Sequence, residues 1–297
     1  MTESLSLRTA RGAHRAGPVP GDDDTRQPSD AGSALLEQDQ REANRFRRTV
    51  LVGRIAVAVV VLGAWQLASG RLVSEFFVSS PSEIVGRLVQ LVGTGQLWPH
   101  LTQTLIEVGA GLLIGVPLGV ALGVALGMSA LLSGWLLPYV MALYSLPRVA
   151  LAPLFIVWFG IGLLSKITMV VTMVLFVIFY NVYQGVRNID QDLFDVARSF
   201  RANRWQTVRW IMLPSLVPWL VTALRLSIGI ALIGAVIAEL IAASSGLGYY
   251  IKLSSNLLDV TGVFAGLAVI TAVAIVLDQA LGYVERRVMR HHPEKQH

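Results

Sequence analysis

Apolar residues in this chain come in long unbroken runs, and the polar residues collect between them. The run over 50–68 is long enough, at 1.5 Å of helical rise per residue, to cross a bilayer. Comparable runs occupy about 102–127, 131–159, 167–185, 216–240 and 262–283. The pattern predicts an all-α polytopic membrane protein with six transmembrane helices. Its divisions are a disordered cytoplasmic tail over 1–45, a first transmembrane helix over 46–70 and an extracytoplasmic connection over 71–101. A core over 102–286 and a short cytoplasmic tail over 287–297 complete it.

Local chemistry refines these elements. The tail holds Gly17-Pro18-Val19-Pro20-Gly21-Asp22-Asp23-Asp24 and few large apolar groups, too little to offset chain entropy. The first apolar run starts too far from Met1 for a secretory signal. Pro81-Ser82-Glu83 has the capping chemistry of a short helix start inside the outer connection, and Trp98-Pro99 marks a membrane interface. In the second span Gly109, Gly111, Gly115, Gly119, Gly123 and Gly127 form a small-residue groove for a neighbouring helix. Pro138, Pro147 and Pro153 predict that the third span is a broken helix beside a pore.

The longest polar interval inside the core is 187–214. Asp190, Asp192 and Asp195 open it and Arg198, Arg201, Arg204 and Arg209 follow, the order that suits a short helix with acids at its N-terminus and bases toward its C-terminus. Leu193, Phe194, Ala197 and Phe200 make an apolar stripe, and Trp205, Val208, Ile211 and Met212 make a second one before Pro214. On periodicity alone the pair could be an interfacial anchor.

Composition agrees with the pattern: 54% of residues are hydrophobic and 14% charged, with mean hydropathy +0.61, which excludes a soluble core. The net charge of +5 does not mark a nucleic-acid binder, because the arginines flank apolar spans. Counted by loop, the arginines put both termini and the 187–214 loop in the cytoplasm, leaving mainly Arg71, Arg87, Lys166 and Lys252 outside. There is no cysteine, and His14, His100, His291, His292 and His297 have no metal-ligand spacing. No Gly-x-x-x-x-Gly-Lys-Ser/Thr phosphate loop occurs, so the chain lacks the usual cradle and lysine for bound ATP, and no catalytic residue or cofactor is picked out in it.

The loop resembles the coupling loop of the permease subunits of type I ATP-binding-cassette (ABC) importers. Asp195, Val196 and Ala197 stand at that family's Glu-Ala-Ala, Arg201 at its glycine, and Ile211, Leu213 and Pro214 at its Ile-x-Leu-Pro. Leu146-Pro147-Arg148-Val149-Ala150-Leu151-Ala152-Pro153-Leu154, Trp158-Phe159-Gly160-Ile161-Gly162, Ala238-Glu239-Leu240 and Gly246-Leu247-Gly248 are similar to its nitrate, sulfonate and taurine branch. The resemblance implies a five-helix permease core plus one N-terminal helix, working as a homodimer in the cell membrane. It also implies an ATPase subunit dimer that binds the ATP, and an extracytoplasmic solute-binding protein. Phe194, Ala197 and Phe200 are then expected to dock in a groove of the ATPase. The competing readings are an ATP-independent secondary transporter or channel and a membrane scaffold that does not couple.

Arg201 departs from the pattern, because a left-handed turn is costly for any residue with a Cβ. Either Ala202-Asn203 takes the turn, the favoured expectation, or the first helix is longer than usual. For the solute path the candidates are Arg148 in the broken span, Tyr144 one turn before it, and Glu239 at the end of the fifth span. Arg148 facing a pore favours an anion, although it could pair with a helix C-terminus or with Glu107. Structural hydrogen bonding is the main expectation for Glu239 and Arg225.

Overall fold

A computed structural model describes residues 30–71, 74 and 77–289, and its regular elements are all helices. In chain order they are α1 (Asp30–Ala68), α2 (Pro81–Gly93), α3 (Leu97–Met128), α4 (Ala130–Ser145), α5 (Ala152–Phe159) and α6 (Leu163–Arg187). Then follow α7 (Gln191–Ser199), α8 (Arg204–Thr207), α9 (Leu213–Ile241), α10 (Leu247–Asn256) and α11 (Val260–Met289). A 3-10 turn, Arg148–Leu151, precedes α5, and a π-helical turn, Val208–Met212, joins α8 to α9.

Two compact units divide after Val61. The first contains most of α1, whose stretch Arg45–Ala68 is long and apolar enough to span a membrane. Helix begins at Asp30, so the disordered tail expected to residue 45 does not hold for 30–45. Ala34-Leu35-Leu36-Glu37-Gln38 and Glu42-Ala43 are strong helix formers, a local propensity that a hydropathy argument overlooks. Residues 1–29 and the histidines of the C-terminal tail lie outside the described residues.

In the second unit three further helical stretches cross by length and composition, Leu97–Met128, Leu163–Arg187 and Trp205–Ile241, and Val260–Arg287 makes a fourth. The remaining span is the bent pair Ala130–Ser145 and Arg148–Phe159, with an angle of 83° between its halves. The break falls at Pro147, where the 3-10 turn begins, as the proline content predicts.

The central contact is α3 on α6. Gly111, Gly115, Gly119, Gly123 and Gly127 face Val170, Val174, Ile178, Val182 and Val186, one rung for every four residues on both helices. A Cβ added at Gly119 would lie 2.6 Å from the Leu175 carbonyl oxygen, and one at Gly123 would lie 2.9 Å from that of Phe179. Gly109, two positions off the ladder, has open space around it and does not belong to the groove.

The rungs rise in the same direction on both helices, so α3 and α6 run parallel. A chain that crosses twice in the same direction must return in between, which makes α4 and α5 one broken span and brings the total to six. Helix α9 packs against both α6 and α3, with Ala223, Ala231, Leu232 and Ala235 completing the main core. Arg225 on α9 holds Asp278 of α11 through Nε at 2.8 Å and Nη2 at 3.2 Å, a structural pairing as expected.

The short helix at Pro81 forms as the capping chemistry predicts. Ser80 accepts from the Glu83 amide while the Glu83 carboxylate accepts from the Ser80 amide, a reciprocal cap. Arg87 then ties α2 to Asp259 ahead of α11 at 2.9 Å.

Substituting Gly119→Leu is expected to cost about 2 kcal/mol or more by forcing α3 off α6. Gly109→Leu should be close to neutral. Thermal unfolding midpoints of the two detergent-purified variants check this, and equal midpoints would overturn the ladder.

Candidate functional site

The loop between α6 and α9 is built by two interlocking caps. Asp190 opens α7, its carboxylate accepting from the Asp192 amide at 3.0 Å. At the other end the Ala202 amide reaches the Ala197 carbonyl and the Arg201 amide the Arg198 carbonyl, both at 2.9 Å, with Arg201 itself at φ +50°. This is a Schellman-type ending with arginine at the left-handed position.

The favoured expectation, a turn shifted to Ala202-Asn203, is therefore corrected, and α7 is not lengthened. The reason is that Asn203 is committed elsewhere. Its Oδ1 accepts from the Gln206 amide and its own amide donates to Gln206 Oε1, both at 2.8 Å, so it is the N-cap of α8. The strain of about 1 kcal/mol falls on Arg201.

The stripe on α7 also resolves differently. Phe194 packs on the main core and Ala197 is buried, so these two expected docking residues face inward. The outward apolar face is Leu193, Val196 and Phe200, with exposures of 43%, 53% and 82%. Of the expected trio only Phe200 lies on it. Asp195 is exposed beside them and pairs with Arg198 at 2.8 Å. A cleft of about 1000 Å³ lined by Gly127, Arg187, Phe194 and Arg198 separates part of α7 from the ends of α3 and α6.

Helix continues from the loop into the membrane without interruption, over Trp205–Ile241. Pro214 has no amide for a normal α-helical bond to Trp210, and the turn ahead of it is widened, with the Leu213 amide bonding to the Val208 carbonyl. Ile211 is half-buried against the core, Met212 is buried, Leu213 is half exposed, and Pro214 enters the first turn of α9.

In the broken span the Arg148 Nη2 donates to the Tyr144 carbonyl at 2.7 Å, the exposed end of α4. Its guanidinium lies 4.9 Å from the Tyr144 ring centroid and 5.0 Å from that of Phe176. Tyr144 stacks on Tyr180 at 5.9 Å, and Gln184 donates to the Tyr180 hydroxyl at 3.1 Å. Phe176, Tyr180 and Gln184 thus line one face of α6 at four-residue spacing. Arg148 Nε is buried without a partner, and among the described residues no carboxylate pairs with this guanidinium.

Glu107 pairs instead with Lys166, which is buried in the first turns of α6 and not in an outer loop as the charge count placed it. Gln103 also donates to Glu107, at 2.7 Å. Glu239 has no hydrogen bond to Tyr144 or Arg148 and is fully enclosed. It accepts from Thr104 and from the Gly248 amide, each at 2.7 Å, while Thr104 accepts from the Leu247 amide at 2.9 Å. Those amides belong to the first turn of α10, so Glu239 and Thr104 cap that helix from other helices. Gly246, at φ +117° with no side chain to spare room for, lets the carboxylate in. Periodicity gives no sign of these partners, which lie 135 residues apart for Thr104 and Glu239.

The model of the family described as "Binding-protein-dependent transport system inner membrane component" matches residues 115–290. A Bacillus subtilis (strain 168) permease protein, SsuC, named for aliphatic sulfonates transport, is 32% identical over 86% of this chain and 92% of its own length. The taurine transport system permease protein TauC of Escherichia coli (strain K12) is 32% identical over 84% of this chain and 91% of its own. The riboflavin transport system permease protein RibX of Chloroflexus aurantiacus is 34% identical over 84% and 93% respectively. Among solved structures, an inward-facing MetNI methionine ABC transporter chain superposes with a TM-score of 0.54. At 22% identity it covers 64% of this chain and 93% of that one, a likeness of fold.

Lys166→Met is expected to cost about 3–5 kcal/mol, because it leaves the buried Glu107 carboxylate without its counter-ion. The double variant Lys166→Met with Glu107→Gln should recover most of the loss. Unfolding midpoints of the two proteins decide it; no recovery would mean the cost is steric.

Proposed function

The chain belongs to the binding-protein-dependent transport system inner membrane components, the permeases of type I ABC importers, and from that membership we propose that it is the homodimeric pore of an ATP-driven importer. A separate ATPase dimer docks on the 187–214 loop, and a solute-binding protein delivers solute from the other side. ATP is bound by the ATPase, and this chain carries no catalytic residue or cofactor of its own. Residues 102–286 are the permease core, 46–70 an added transmembrane helix and 71–101 an outer connection, with both termini in the cytoplasm.

The observation that carries this reading is the outward apolar face of α7 on a helical path continuous with α9. Leu193, Val196 and Phe200 would be poorly placed in water, and a groove on a soluble partner buries them as helix-in-groove contacts do. An interfacial anchor is the weaker account, because Asp192, Asp195 and Arg198 are exposed on the same short helix. A secondary transporter or channel has no use for such a face, and a scaffold would not lose function when its ATPase is inactivated.

The solute is proposed to be small and polar, of the nitrate, sulfonate, taurine or vitamin-precursor type, with an anionic group the favoured feature. Two of the named relatives are permeases for sulfonates, including taurine, and Arg148 offers a guanidinium without a carboxylate, held between Tyr144 and Phe176. Tyr144 and Arg148 are assigned to the path. Glu239 is withdrawn from it, since a cap enclosed among three helices touches no solute.

The chain has no cysteine, so Phe200→Cys is a single reporter. It should react with a membrane-impermeant maleimide only from the cytoplasmic side, and bound ATPase should block the reaction. Phe200→Ser together with Val196→Ser is expected to lower solute-stimulated ATP hydrolysis in proteoliposomes by about tenfold or more while leaving the unfolding midpoint unchanged. Labelling from outside, or unaltered hydrolysis, would sink the docking assignment.

In the same assay Arg148→Met should reduce transport of the solute that the companion binding protein carries, by about tenfold if one charge-assisted bond is lost. Arg148→Lys should restore part of it. Transport by the methionine variant at the wild-type rate removes Arg148 from the path.

A further inference from the structure

Another guanidinium without a carboxylate partner among the described residues stands at the mouth of an apolar groove. Arg209 lies in the widened turn before α9, exposed, with its guanidinium 5.8 Å from the ring centroid of Trp210. Among the described residues no carboxylate pairs with it. It borders a groove of about 360 Å³ whose other walls are apolar: Val120 and Val124 of α3, Val182 of α6, and Leu216 and Leu220 of α9. Val124 is one turn before the end of the glycine ladder and Val120 one turn deeper, so the groove runs from the loop side of the membrane toward its middle.

We propose that this groove is a binding site for an anionic phospholipid of the surrounding bilayer, one acyl chain lying along α3 and α9 and the phosphate held by Arg209. Charge selects the occupant. A guanidinium fork matches phosphate oxygens in a charge-assisted pair, and an uncompensated cation favours a headgroup of net negative charge over a zwitterion that brings its own ammonium. Trp210, with 71% of its surface exposed, is the amphipathic ring expected at headgroup level. The site lies apart from Tyr144 and Arg148, and it depends on the membrane placement of the helices without depending on ATPase docking.

The test uses the full-length permease alone, without ATPase or solute. Protein exchanged into mixed phosphatidylglycerol and phosphatidylcholine is released into the gas phase, and the retained lipids are weighed. Wild type should keep phosphatidylglycerol in preference to phosphatidylcholine by about tenfold, the worth of one charge-assisted bond. Arg209→Gln should abolish the preference, Arg209→Lys should keep part of it, and Val124→Phe, which fills the groove, should lower retention of both lipids. An undiminished preference in Arg209→Gln overturns the proposal. So does unchanged retention in Val124→Phe, or a wild-type dimer that carries no lipid because the second copy covers the groove. Failure of the ATPase experiments would leave these outcomes untouched.

Discussion

The close approach of α3 to α6 governs everything else in the second unit. Lipid tails are as apolar as leucine, so in a bilayer two helices gain little by burying apolar surface and must gain by contact. Five glycines in register with four valines and an isoleucine provide that contact, backbone against side chain. The ion pair of Glu107 with Lys166 is the next rung of the same ladder, each residue four before Gly111 and Val170. The position of α6 then fixes where Phe176 and Tyr180 meet the broken span. One contact between two helices thus sets the buried pair of Glu107 with Lys166, the aromatic face around Arg148 and the floor under the loop.

Charges within the membrane sort by whether they are compensated. Glu107 has Lys166, Arg225 has Asp278, and Glu239 has the buried first-turn amides of α10 together with Thr104. Each of these ties together elements distant in sequence, and removing one partner leaves the other stranded. Arg148 and Arg209 have no such partner among the described residues. A guanidinium left without an internal anion is suited to an external one, and the two differ in which anion can reach them. Arg148 stands in the break of a span, where the proposed function puts the solute. Arg209 stands beside Trp210 at the mouth of the groove proposed to hold a lipid.

What could be read from the sequence was what depends on neighbours along the chain. Apolar run length gave the spans, three prolines gave a broken third span, and Pro81-Ser82-Glu83 gave the start of a short helix. The glycine stripe was legible as a groove, but its membership depends on the partner helix, and Gly109 lies outside it. Pairings across the fold were not legible: nothing near Glu107 names Lys166, and nothing near Glu239 names the start of α10. The loop shows the same limit at shorter range. A stripe of Leu193, Phe194, Ala197 and Phe200 predicts a helix but does not say which edge the protein covers, since Val196 supplies a second apolar edge. The left-handed turn falls at Arg201 because Asn203, although tolerant of that backbone, is engaged as the cap of α8.

The strained arginine bears on how motion at the loop could reach the pore. Two caps back to back, the Schellman ending of α7 and the Asn203 box of α8, leave only Arg201 and Ala202 between them, so α7 and α8 are hinged over a very short link. On the far side of α8 the helix runs on without a break through the widened turn into α9. A force on the outer face of α7 therefore has a short, stiff route to the span, whereas its route to α3 and α6 crosses the cleft and rests on Phe194 and Ala197. In the proposed importer the stiffness of the first route matters more than the strength of the second. An arginine at φ +50° fits such a link: its stem resists backbone excursions that a glycine would permit, and the cost of about 1 kcal/mol is offset by the two capping bonds it completes.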